Sequence, residues 1–247
     1  MATFERATVP AVVIALGIAV AGLLVGSGFA RGRAADRFVT VKGVAEREVR
    51  ADLAIWPLRV AGADDELSAA NAKLATSIAG VRAFLVKHGV DTSQVQLTGF
   101  SVADANSEQY ASDRKPANRY VIHQTMLVRS NQPDRVLAAS QQVSELAAVG
   151  VAISSGNGEY GPGGGGPTFV FSRLNQLKPA MIADATARAR EAAAQFARDS
   201  HSELGEIRQA NQGVFEILPR DRAPGITEEN QITKVVRVVS TIDYRLK

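Results

Sequence analysis

The sequence predicts an α+β fold: mostly antiparallel strands in pairs, three packed helices, and an N-terminal transmembrane helix. Three observations carry that prediction. Runs rich in β-branched and aromatic residues come in pairs bounded by turn residues. Three longer stretches repeat their apolar residues at helical spacing. Residues 11–30, AVVIALGIAVAGLLVGSGFA, carry no charge.

Those twenty residues would span roughly 30 Å as a helix, the thickness of the hydrocarbon core. A cleaved signal peptide is the competing reading, with Arg6 as its basic flank and Gly28-Phe29-Ala30 as a small-residue cleavage site. The length favours an anchor. Residues 1–10 are then a short flank, 31–37 a polar linker, and 38–247 the folded domain. Arg31, Arg33 and Arg37 outnumber the single Arg6, which by charge alone would put that domain weakly on the cytoplasmic side.

Beyond the linker, residues 38–43 and 49–60 read as two strands with their turn at 50–52, and Pro57 marks an edge or a bulge. Asp64-Asp65-Glu66 opens a helix, where acids meet the positive end of the dipole. Leu67, Asn71, Leu74, Ile78, Val81 and Leu85 follow on one face, and Gly89 closes it. Residues 94–102 and 119–129 are the next strands, separated by a polar loop over 103–118. A helix from Pro133 to Gly150 should bury Val136, Ser140, Val143 and Leu146. Short strands at 151–154 and 168–171 flank a glycine-rich stretch. An alanine-rich helix over 175–200 leads to strands at 206–217 and 232–246. In the last of these Val236, Val238, Ile242, Tyr244 and Leu246 share a face. The order ββα occurs twice, without repeated residues.

Composition limits the function. With 46% hydrophobic and 21% charged residues the chain has a globular balance. The 28 basic and 25 acidic residues are spread without a basic block, so no nucleic-acid partner is expected. There is no cysteine, which removes disulfides, thiolate metal sites and a cysteine nucleophile.

No motif assembles a catalytic, cofactor-binding or metal set, and none is expected. His88, His123 and His201 lie on different elements without metal-ligand spacing. His88 reads as a cation at a helix C-terminus, and His123 as a sheet-face residue. His201, within Asp199-Ser-His-Ser-Glu203, would be catalytic only if those neighbours converged in a cleft. Asp64 to Glu66 could hold a cation but read as helix-start acids. Trp56 reads as core, and Tyr110 as a candidate interface residue. Gly156, Gly158, Gly161, Gly163 and Gly166 match G-x-G-x-x-G twice. A dinucleotide loop requires a helix after the glycines, and here Pro167 and a strand-like run follow. The stretch reads as a loop between strands.

Five features resemble the SIMPL-domain family. Val39 to Val49, VTVKGVAEREV, is similar to its opening strand with V-x-G-x-[AG]-E, and Ala51-Asp-Leu-Ala-Ile55 to its following strand. Asn71 falls where its first helix commonly carries asparagine, and Tyr120 resembles its strand entry, with Arg119 in place of glycine. The run from Ala183-Asp-Ala185 to Leu204-Gly205 resembles its alanine helix. The resemblance spans about 38–247. The full-length anchor and the four-glycine run depart from it. It implies an envelope-located α+β protein that self-assembles into rings or channel-like oligomers, loosely linked to oxidative or envelope stress, with no established enzymatic residues. The expected protein is therefore a single-pass inner-membrane homo-oligomer with its domain in the periplasm. The alternatives are an envelope hydrolase or ligand-binding domain using His201, and an adaptor reading a partner protein through loop 103–118.

Overall fold

A computed structural model describes residues 5–34, 37–106, 117–151, 153–154 and 166–247. It contains helix α1 (Glu5–Ala34), strands β1 (Phe38–Arg50) and β2 (Leu53–Asp64), α2 (Leu67–Lys87), β3 (Gln96–Asp104) and β4 (Tyr120–Ser130). These are followed by α3 (Pro133–Gln141), α4 (Ser144–Ala148), β5 (Ile153–Ser154), β6 (Thr168–Val170) and α5 (Leu174–Asp199). β7 (Leu204–Gln212), β8 (Glu216–Pro219), a 3-10 turn (Glu228–Asn230) and β9 (Thr233–Leu246) complete the fold. The ββα order does recur, as β1-β2-α2 and β3-β4-α3. The chain divides into two compact units: residues 1–45, 180–214 and 238–247, and residues 46–179 and 215–237.

In the first unit β9 lies between β1 and β7. Antiparallel pairing sets Ala210 opposite Ile242 and Gln212 opposite Ser240. Ala185, Ala189, Ala193 and Ala197 recur every fourth residue of α5 and are all buried, because residues so spaced share one helix face. Ala189 and Ala193 form a core with Val39, Val41, Ile242 and Tyr244. The small stripe lets backbone approach backbone: a β-carbon on Gly43 of β1 would collide with the Ala185 carbonyl and meet the Ala189 nitrogen at 2.6 Å. A larger residue on either side would force the helix off the sheet.

The second unit is a five-stranded sheet in the order β3-β4-β2-β5, with β6 also paired to β2. Alternation in β2 and β4 sends Trp56, Leu58, Val60, Ile122, Met126 and Val128 into the core. Each fully buried aliphatic or methionine side chain contributes roughly 1.5–3 kcal/mol. α2 covers β2 and β4 at close range, since a β-carbon on Gly62 would meet the Ala70 carbonyl and the Leu74 nitrogen. Ala70, Leu74, Ser77, Val81, Phe84 and Leu85 are the buried residues of α2, while Leu67 is exposed and so is Asn71. The buried face is thus rotated from the expected one, because the contact at Gly62 demands a small residue and Ala70 supplies it.

Other departures have local causes. The helix expected over 133–150 breaks at Gln142 and Val143 into α3 and α4, although Val136 and Leu146 are buried as expected. The strand expected over 206–217 is divided around Gly213 into β7 and β8, where a β-carbon would press on the Val239 carbonyl at 2.7 Å. The expected linker begins later, as α1 continues to Ala34. In α1, side chains are described for residues 13–28 only. Among the described residues no helix is long and apolar enough to cross a membrane.

Candidate interaction surface

The residues that mark the sequence motifs serve the fold. Asp52, in the turn between β1 and β2, accepts hydrogen bonds from the Ser172 N–H at 2.7 Å, the Ser172 hydroxyl at 2.8 Å and the Arg173 Nε–H at 3.0 Å. Burial would push its carboxyl up, but the Ser172 hydrogen bonds, followed by the Arg173 charge, outweigh it and hold the pKa below the ordinary aspartate value. Ser172 and Arg173 immediately precede α5, so this carboxylate ties the turn to the start of that helix. Glu46 pairs with Arg237 at 3.5 Å. Gly43 gives α5 its close approach.

The acids before α2 are likewise committed. Asp64 bonds Lys73 at 2.7 Å, and Asp65 accepts the Arg119 N–H at 3.0 Å. Among the described residues no His, Asp or Glu group is arranged to hold a metal ion. His88 caps the C-terminal end of α2, its Nε2 3.1 Å from a Glu145 oxygen. Lys87 and then His88 hydrogen-bond that carboxylate and lower its pKa. His123 lies in β4, on the sheet face as expected. Trp56 is core, at 1% exposure. His201 has a left-handed φ of 52° just past α5. Its neighbours bond elsewhere: Asp199 accepts from Gln195, Ser200 donates to the Ala197 carbonyl, and Ser202 to the Ser200 carbonyl. Tyr110 and Gly156 to Gly163 lie outside the described residues.

The flanks of the glycine stretch are informative. β5 pairs with Arg59 and Val60, and β6 with Leu53 to Ile55, both antiparallel to β2. They form two pieces of one edge strand, interrupted opposite residues 56–58, where Pro57 sits. A strand rather than a helix follows the glycines, which is the wrong geometry for a dinucleotide loop.

Two open grooves, each about 470 Å³, flank α2. Lys87 and Glu145 at one, and Lys73 at the other, are already in ion pairs. A different chemistry appears at β3, an edge strand of the sheet. Leu97 is 48% exposed, Phe100 60% and Val102 46%. Leu97 sits opposite buried Met126, and Val102 opposite buried Ile122, so β3 continues the apolar face past the helical cover. Its register shifts between Thr98 and Ser101, with Gly99 at a φ of +59°. An unpaired apolar edge is a template for another chain. β7, one edge of the other sheet, is exposed along most of its length but predominantly polar.

The family model described as SIMPL, "Protein of unknown function (DUF541)", matches residues 39–239. The chain belongs to the SIMPL family. Two solved structures from Listeria innocua are similar to this SIMPL protein, an uncharacterized conserved protein and a hydrolase. Each is 13% identical, with 78% of this chain and 90% of the other covered, at a TM-score of 0.20; such a likeness carries no argument. No curated protein matches.

The sequence reading missed β3 as an exposed surface, although Leu97, Phe100 and Val102 are apolar within a short strand bounded by polar loops. It also missed Lys234, which is fully buried and donates to the carbonyl and carboxylate of Glu228, the latter at 2.7 Å. Strict alternation from Val236 and Val238 would have placed Lys234 and Ser240 on the buried face.

Proposed function

We propose that this SIMPL protein is a non-enzymatic assembly protein, anchored in the inner membrane by residues 11–30 with its domain in the periplasm. It self-associates into a ring- or channel-like homo-oligomer that serves the envelope under stress. The observation that carries the self-association is the edge strand β3, where Leu97, Phe100 and Val102 lie exposed. A copy placed there would extend the sheet by main-chain hydrogen bonds while covering these side chains. Contact between unlike surfaces of successive copies generates a ring when the rotation closes.

The anchor rests on α1, a 30-residue helix with Leu16, Ile18, Leu23 and Leu24 each more than 60% exposed. A β-carbon on Gly17, Gly22 or Gly26 would meet open space. Residues 13–28 thus carry no charge on any side, and the length needed for a span comes from the uncharged run 11–30 of the sequence. The committed partners of His88, Asp64 and Asp199 support a role without catalysis.

Mass measurement of the full chain in detergent micelles tests assembly: oligomers are expected at micromolar concentration, and a strict monomer would refute it. A reporter fused after Lys247 should be active only in the periplasm. Activity confined to the cytoplasm would overturn the location.

A further inference from the structure

The five-stranded sheet has a second face, turned away from α2, where half-buried Ile55, Pro57, Arg59 and Ala61 of β2 lie beside His123, Thr125 and Leu127 of β4. The register puts Arg59 opposite Thr125 and Ala61 opposite His123. Arg59 and His123 are therefore diagonal cross-strand neighbours, within reach of each other's long side chains. Their positive charges interact, and burial together with Arg59 keeps His123 neutral at lower pH than an ordinary histidine. Among the described residues the His123 Nδ1 is buried without a hydrogen-bond partner.

The charged groups that alternation places on this face of β2 and β4 are Arg59, His123 and Arg129; no Asp or Glu of those strands shares it. The edge beside them is irregular: the β3 register shifts between Thr98 and Ser101, residues opposite Thr125 and His123. At Gly99 a β-carbon would come within 3.2 Å of the Thr125 hydroxyl oxygen, so glycine keeps space beside that hydroxyl. Bulges recur beside binding sites because they re-aim side chains.

We infer that Arg59, His123 and Thr125 form a binding site for an oxyanion, the carboxylate or phosphate group of a small ligand. The guanidinium presents a planar fork that matches two oxygens. The imidazole and the threonine hydroxyl each add a donor from β4. An anion here supplies the counter-charge that β2 and β4 do not carry on this face and gives the buried ring nitrogen a partner. Its three side chains stand on β2 and β4, next to β3 but not on it, so anion binding by the unassembled chain is the property tested.

Imidazole NMR on the full chain in detergent micelles reads all three histidines at once, with inorganic phosphate and acetate titrated in separate arms. The favoured anion should move the His123 resonances and raise that residue's pKa, leaving His88 and His201 as references. The arm that acts at lower concentration identifies phosphate or carboxylate as the ligand group. Arg59→Gln should weaken binding at least about tenfold, the loss expected for one strong charge-assisted contact. Thr125→Val, which keeps shape and burial, should weaken it less and serves if Arg59→Gln does not fold. A His123 titration that neither anion alters, or that responds equally in the variants, would overturn the site. An equal response of all three histidines would reduce the effect to ionic strength and also refute it.

Discussion

β3 and β4 lie side by side in one sheet, yet their side chains meet different fates. Met126 and Leu97 face each other across the pair; Met126 is wholly buried and Leu97 is 48% exposed. Ile122 and Val102 repeat the contrast at 1% and 46%. The residues are all apolar and the registers match, so intrinsic preference does not separate them. What differs is the cover: α2 lies over β2 and β4, while β3 stands at the edge. An apolar side chain on a strand reports that something should cover it, and the layer above decides whether the same chain does so.

The contrast can be broken most strongly in the core. Met126→Ala should cost about 2–5 kcal/mol, the usual range for a cavity under a covered strand, whereas Leu97→Ala should cost less than about 1 kcal/mol in the monomer. Urea denaturation of both variants checks this, and equal losses would erase the distinction. Next in size is the close approach that supplies the cover. Gly62→Ala should destabilise by about 1–3 kcal/mol through overpacking against Ala70 and Leu74, seen as a lower melting temperature with unchanged secondary structure.

Asp52→Ala should cost about 0.5–1.5 kcal/mol, since Ser172 and Arg173 are exposed and water can take the place of the lost carboxylate. The wild-type contribution has a definite pH dependence. The folded-state pKa of Asp52 is depressed, so its stabilisation is full above the ordinary aspartate range, about pH 4, and is lost as pH falls through the lower folded value. Acid titration of stability should therefore flatten in the Asp52→Ala variant. The smallest effect on the monomer is expected at the exposed edge. Phe100→Lys should change monomer stability by no more than about 0.5 kcal/mol while dissociating the oligomer, as light scattering would show.

The same reasoning explains what could be read without coordinates. The strand pairs, the turn near Asp52, the alanine helix and the buried face of β9 were legible because each follows from local periodicity. Trp56 and His88 could be placed for the same reason. The rotation of α2 was not legible, because it depends on Gly62, a residue of another element. The division around Gly213 depends in the same way on Val239. Leu97 could be assigned to a strand, but its exposure depends on how far a helix reaches. His123 was rightly assigned to a sheet face, yet its relation to Arg59 required the β2–β4 register, which no single strand encodes.

The central place of β9 in its sheet has a kinetic consequence. Thr40 of β1 donates to Asp243 of β9 at 2.7 Å, across 203 residues of sequence. β1 and β7 therefore wait for a strand made long after β1, and both stand as open edges until it arrives. Pairings so distant in sequence close slowly, and unpaired edges invite misassociation in the interval. Folding of this unit should accordingly be sensitive to crowding by identical nascent chains, with delivery of residues 238–247 ending the exposure.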